Sequence, residues 1–296
     1  MSTLTAQPAK SRARWLARVR SNAFAVVRTL VLYLLMAVFA TTFLFPFLWM
    51  LSTSLKIPSQ VFAQPAIWIP NPINVSNYYE AMTVVPTWRY LQNTLIITLV
   101  PASATVLTSS SVAFAFSRLE WKGRNVAFGL LLSTMMLPYQ VTMIPVFILF
   151  HKVNMINTFW PLILPSFFGS AFYIFLLRQF FMSIPKEMDE AAVIDGATPP
   201  LIWWRIILPL SGPALAAVAI FAFIAHWNDF IGPLIYLQRA AKWPLSLGLI
   251  AFRQRDLTKW EYIMAYSLVV MMPCLIVFFF SQRYFIQGIT LSGLKG

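Results

Sequence analysis

The sequence predicts an all-α integral membrane protein of six transmembrane helices, with a short cytoplasmic helix between spans four and five. Three observations predict it. First, 59% of the 296 residues are hydrophobic and 10% are charged, against roughly 25% charged in soluble domains. Second, six apolar runs reach the about 20 residues needed to cross a bilayer as a helix. Third, basic residues gather in alternate loops, as they do on the cytoplasmic side of multi-span proteins. With a mean hydropathy of +0.72, this composition excludes an ordinary soluble enzyme, a disordered chain and a collagen-like chain.

Residues 1–28 form a basic segment carrying Lys10, Arg12, Arg14, Arg18, Arg20 and Arg28. The first run, Thr29–Leu51, is too long for the apolar centre of a signal peptide and reads as an uncleaved span. Between Ser52 and Trp88, Pro58, Pro65, Pro70, Pro72 and Pro86 argue for an ordered loop with short turns, because proline removes a helix donor. The remaining runs are Leu91–Phe116, Val126–Phe150, Phe159–Phe181, Ile206–Leu237 and Tyr262–Phe285. The expected layout is a membrane domain over 29–286, with a loop at 182–209, followed by a tail at 287–296. An even number of spans puts both termini on one side. That side collects 14 of the 22 basic residues, which makes it the cytoplasm of a multi-pass cell-membrane protein. The net charge of +13 is therefore a topology signal and needs no nucleic-acid partner.

The sequence contains no G-x-x-x-x-G-K-[ST] phosphate loop and no G-x-S-x-G elbow. Its histidines are His151 and His226 alone, and its single cysteine is Cys274. No metal site, no cofactor and no catalytic residue is expected. Asp229 is the main ionisable residue at membrane depth, whereas carriers driven by gradients place several there. The energy for any transport is expected to come from a partner.

The loop between spans four and five parses as two helices and a turn. Pro185 suits a first helical position, where its missing N–H costs nothing. Glu187, Asp189 and Glu190 follow, where the helix dipole favours negative charge. Gly196 suits the position just past a helix end, which needs positive φ. Thr198 and Pro199 open a second helix through Trp203 and Trp204. The residues alone fit either a membrane-surface connector or a docking element.

Glu190-Ala191-Ala192, three residues, Gly196, nine residues and Ile206-x-Leu208-Pro209 together resemble the EAA signature of bacterial ABC importer permeases. Phe45 to Met50, Ala113 to Leu119, His226 to Phe230 and Gln287 to Thr290 resemble the maltose-type carbohydrate permeases in particular. Pro199-Pro200 departs from their usual pattern. The resemblance implies that the loop is the coupling helix, with Glu187, Glu190, Ala191, Ala192, Asp195, Gly196, Ala197, Ile206, Leu208 and Pro209 meeting an ATPase subunit. It implies a second permease in a heterodimer, two ATPase subunits carrying ATP and Mg, and an extracytoplasmic solute-binding protein.

Asn93, Tyr139, Gln140, Asn228 and Asp229 are candidates for a translocation path, since polar side chains in a membrane face a cavity or the bundle interior. The Ser and Thr residues of span two fit helix packing as well as a path. In the last external loop, the apolar segment Trp243–Phe252 is too short to span. The resemblance implies that this loop, with Trp243, Pro244, Leu247 and Phe252, reaches toward the binding protein. The implied function is the permease subunit of an ATP-driven sugar importer. The alternatives are a permease for glycerol phosphate or another non-sugar solute, a self-contained carrier, and a membrane enzyme.

Overall fold

The computed structural model describes residues 8–252 and 259–293. Arg253 and Arg255 of the last expected external loop lie outside the described residues. So do Lys295 and the side chains of Lys10 to Arg20 and of Gln287 to Thr290.

All regular structure among the described residues is helical. Helix α1 (Pro8–Ser54) runs without a break through the basic segment into the first apolar run. The proline-rich stretch holds only α2 (Pro58–Val61) and α3 (Ser76–Val84), as its prolines predict. Helix α4 (Thr87–Arg118) is continuous. Four segments are long and apolar enough to cross a membrane: Val26–Ser54, Thr87–Arg118, Trp160–Met182 and Trp260–Gln282. Two helix pairs, bent by 98° and 85°, raise the number to six if each pair is one span.

The third and fifth apolar runs are thus not the uninterrupted helices that hydropathy suggests, and the cause is local chemistry. In the third, α5 (Arg124–Ser133) and a 3₁₀ turn stop at Leu137, whose backbone is extended (ψ 115°) ahead of Pro138. Proline crowds the residue before it out of the helical region. Helix α6 (Tyr139–Lys152) then leaves in a new direction. The fourth run is α7 (Trp160–Ile163), a 3₁₀ turn to Phe168 and α8 (Ala171–Met182), joined at Gly169 with φ +76°.

Past α9 (Glu187–Ile194), the fifth run begins as α10 (Pro199–Ile202). Pro209 has no N–H to return to Arg205, and the turn ahead of it widens into a π-helix at Trp203–Ile207. After α11 (Leu208–Leu210) the chain turns at Ser211, before Gly212-Pro213, into α12 (Gly212–Trp227). It breaks again at Asn228 and resumes as α13 (Ile231–Tyr236). Helix α14 (Leu245–Ala251) follows. The last helix, α15 (Trp260–Gly293), extends through most of the segment expected as a tail.

Helix α4 is the axis, packed by α8, α12, α14 and the 3₁₀ turn before Gly169. One apolar cluster surrounds its Phe114 and Phe116 and includes Ile174, Leu177, Phe181, Ile207 and Val218. A second surrounds Tyr90 at the other end, with Trp227, Leu245, Phe252 and Tyr266. Here α14 lies against α4 and α15 at Gly248. A Cβ at that position would sit 2.4 Å from Tyr266 Oη and 3.1 Å from Tyr90 Cδ2. Gly248→Ala is therefore expected to destabilise the bundle by about 1–3 kcal/mol through overpacking. Thermal unfolding of the detergent-solubilised protein checks this, and adding Tyr266→Phe, which removes the nearest atom, should recover part of the loss.

Candidate coupling site and translocation path

Helix α9 is short and mostly solvent-facing. Its end is closed by backbone geometry: the Ala197 N–H donates to Ala192 O at 2.9 Å and the Gly196 N–H to Val193 O at 3.0 Å. These are the two bonds of a Schellman motif, which needs a left-handed residue between them. Gly196 supplies it with φ +82°, as the sequence predicts.

The helix presents two faces. Glu187, Met188, Glu190, Ala191, Val193, Ile194 and Asp195 are exposed, Ile194 by 86%. Asp189 and Ala192, three residues apart and so on one side, turn inward. Ala192 belongs to the buried cluster around α4 and α8, with Ala197 and Ile206 packed beside it. Ala192, one of the residues that the resemblance implies would meet an ATPase subunit, has its methyl in the protein's own core. Gly196 is exposed. Leu208 is half-buried and Pro209 exposed, both on the arm leading into α12. The exposed apolar residues Met188, Val193 and Ile194 escaped sequence reasoning, because in a chain this apolar they carry no distinguishing signal.

Asp189 faces Arg118, the last residue of α4. Arg118 Nη1 lies 3.1 Å from Asp189 Oδ2, and the side chains are 3% and 18% exposed. Arg118 Nη2 donates to Phe181 O at 2.5 Å and Ile184 O at 2.8 Å. Two further arginines meet carbonyls at the same end of α4. Arg178 Nε donates to Phe116 O at 3.2 Å and its guanidinium lies over the Phe128 ring at 4.2 Å. Arg124 Nη1 donates to Leu119 O at 2.9 Å. A helix C-terminus presents unpaired carbonyls and partial negative charge, and cations suit it.

The path candidates separate into two groups. Asn93 is buried, and its Nδ2 donates to Ala241 O at 3.0 Å and Trp243 O at 2.9 Å. In this structure it fastens a loop. Tyr139 and Gln140 are exposed and open α6 just past the 98° bend. Asn228 and Asp229 sit at the break between α12 and α13. Asn228 Nδ2 donates to Ile224 O at 2.9 Å, and Asp229 Oδ1 accepts from the Gly232 N–H at 3.0 Å. Tyr139 lies within electrostatic reach of both Asp229 and Tyr236. The hydroxyls of α4 serve packing: Ser109 Oγ accepts from the Ser170 N–H at 3.1 Å, and Thr108 Oγ1 donates to Ser166 O at 3.2 Å.

The last loop differs most from expectation. Pro244, Leu247 and Phe252 are buried and Trp243 is half-buried. The Leu245 N–H donates to Thr94 Oγ1 at 2.8 Å. The segment expected to reach outward instead folds back on α4 and α15. A largely apolar ten-residue segment gains more from burial in the bundle than from exposure at its surface.

A bundle of apolar helices with interrupted spans, polar groups at the interruptions and one solvent-facing helix has the layout of a transport permease. The sequence pattern of the binding-protein-dependent transport system inner membrane component family matches residues 105–291. The chain belongs to this family, whose members are non-catalytic ABC transporter permeases. It is similar to the arabinooligosaccharides transport system permease protein AraQ of Halalkalibacterium halodurans, 35% identical over 78% of this chain and 82% of that protein. The diacetylchitobiose uptake system permease protein DasC of Streptomyces coelicolor is 30% identical over 85% of this chain and 92% of that protein. A solved bacterial ABC transporter involved in the import of the acidic polysaccharide alginate matches with a TM-score of 0.77 at 25% identity, covering 90% of this chain and 98% of that one.

The closure of α9 gives a direct prediction. A Cβ at Gly196 would meet nothing within 4 Å, so Gly196→Ala acts through the left-handed backbone alone, at about 1–2 kcal/mol. Hydrogen exchange at the Gly196 and Ala197 amides should accelerate roughly 5- to 30-fold in that variant. Gly196→Asn, which tolerates positive φ, should stay close to the parent.

Proposed function

We propose that this chain is the permease subunit of an ATP-driven importer for a sugar, an oligosaccharide or related polyol, and that α9 is its coupling helix. The observation that carries the reading is the outer face of α9. Apolar Met188, Val193 and Ile194 stand exposed among Glu187, Glu190 and Asp195, on a short helix whose inner face is already committed. Exposed apolar groups clustered with charges mark a protein interface. With Gly196 closing the helix, this face is shaped to enter a groove of an ATPase subunit. Ala197, Ile206, Leu208 and Pro209 form the return arm that passes movement on to α12.

In this reading the assembly contains a second permease in a heterodimer, two ATPase subunits that bind ATP and Mg, and an external solute-binding protein. Each bent helix pair is one span, giving six, and both termini are cytoplasmic. The loaded binding protein docks outside, ATP closes the ATPase pair, and α9 moves with it to switch the path between inward and outward access. Tyr139, Gln140, Asn228 and Asp229, grouped at the interruptions of the spans, supply hydroxyl, amide and carboxylate partners for a polyol. The sugar-permease relatives support the substrate class.

Ile194→Arg places a bulky cation in the middle of the apolar face. It should abolish co-purification of the ATPase subunits with the permease while leaving membrane insertion intact, because the side chain is exposed. Retention of the ATPase subunits would sink the reading. Thermal-shift screening of the cognate binding protein against neutral, acidic and phosphorylated sugars identifies the substrate class.

A further inference from the structure

Resting on the reading of α9 as the ATPase-facing helix, we infer that Arg118 is the positioning residue that passes the motion of α9 into the membrane helices. Its guanidinium joins three elements at once. It is the last residue of α4, it holds the carbonyls of Phe181 and Ile184 at the end of α8, and it pairs with Asp189 on α9. The pair is the one salt bridge among the described residues. Only a planar fork of N–H donors reaches three acceptors in different directions. A lysine ammonium has the charge but not the span.

The contact with α9 is a single point. Arg118 Nε and Asp189 Oδ1 are both buried without a hydrogen-bond partner, so the two groups do not form the bidentate fork that would fix their relative orientation. A one-point ionic contact resists separation and permits rotation. It acts as a pivot: α9 can tilt while Arg118 stays attached. The other inward-facing residue of α9 is Ala192, buried in the apolar cluster beside Phe114 and Phe116.

Helix α4 then carries the displacement. Its 32 residues extend about 48 Å at 1.5 Å per residue. At the far end Asn93 and Thr94 hold the segment leading into α14. A pull on Arg118 therefore reaches the opposite surface through one continuous helix, which runs through Pro101 without a break, and three hydrogen bonds.

The test uses the complete importer in proteoliposomes, with a bimane fluorophore on Arg89→Cys at the far end of α4 and Cys274→Ala to make it the sole label. MgATP with vanadate is the probe, so no transported solute is needed. The expected result is a fluorescence change in the parent that falls by about tenfold in Arg118→Lys and Asp189→Asn, the factor set by roughly 1.4 kcal/mol of lost coupling. ATP hydrolysis and ATPase co-purification should persist in both. Asp189→Asn leaves Arg118 on its two carbonyls and the outer face of α9 untouched, so it decides the matter if Arg118→Lys does not assemble.

No fluorescence change in the parent, an undiminished change in Asp189→Asn, or loss of the ATPase subunits from Asp189→Asn would each overturn the pivot. The underlying reading is judged separately by Ile194→Arg. If that variant releases the ATPase subunits and Asp189→Asn keeps its full signal, the docking role stands and the pivot alone fails.

Discussion

In hydrocarbon a backbone N–H or C=O has no water to turn to, so every interruption of a membrane helix must be answered by another group of the protein. This chain interrupts its spans repeatedly, and α4 answers many of the interruptions. Ser109 and Thr108 meet the Ser170 N–H and the Ser166 carbonyl beside the Gly169 break. Asn93 and Thr94 meet the Ala241 and Trp243 carbonyls and the Leu245 N–H, where the chain re-enters as α14. Arg118 donates to the Phe181 and Ile184 carbonyls at the end of α8, the first of which also accepts the Ile184 N–H. The polar residues of α4 are thus spent on freed backbone. Asn228 and Asp229 do the same at the break between α12 and α13, where they meet the Ile224 carbonyl and the Gly232 N–H.

The two ends of the molecule use this arrangement differently. At the Arg118 end, arginines gather on carbonyls beside the Phe114 cluster, and one of them also pairs with α9, whose Ala192 is buried in that cluster. At the Tyr90 end, aromatic rings and the Gly248 approach pack α14 tightly between α4 and α15. Helix α9 is held by an ion pair and one buried methyl, and α14 by close packing along its length. Motion suits the first and resistance to motion suits the second.

Much of this was legible in the chain. Hydropathy located the apolar segments, and the proline-rich stretch after α1 kept to short turns. The loop that holds α9 was read nearly to the residue, because Pro185, the acidic turn and Gly196 are local signals with local consequences. The 98° bend had a visible sign in Pro138, and the 85° bend in Gly212-Pro213. Both were hidden by reading apolar runs as uninterrupted. The burial of Leu247 and Phe252 was not legible, because an apolar segment too short to span looks the same whether it lies on a membrane or inside a bundle. The partners of Asn93 were hidden for a different reason. A buried amide bonded to backbone and an amide lining a path have identical sequences, and only the position of a loop some 150 residues away distinguishes them. The Arg118–Asp189 pair is equally non-local.

That separation also bears on how the protein is made. Asn93 and Thr94 find their partners 148 to 151 residues further along the chain. At synthesis rates of about 5–20 residues per second, those partners emerge roughly 8–30 s after α4 does. During that interval the Thr94 hydroxyl can turn back on the Tyr90 carbonyl of its own helix, and the Asn93 amide still lacks the loop carbonyls it meets in the folded protein. The final closure of the bundle is therefore a late event of biogenesis, completed only once α14 has been delivered to a helix that has been waiting for it.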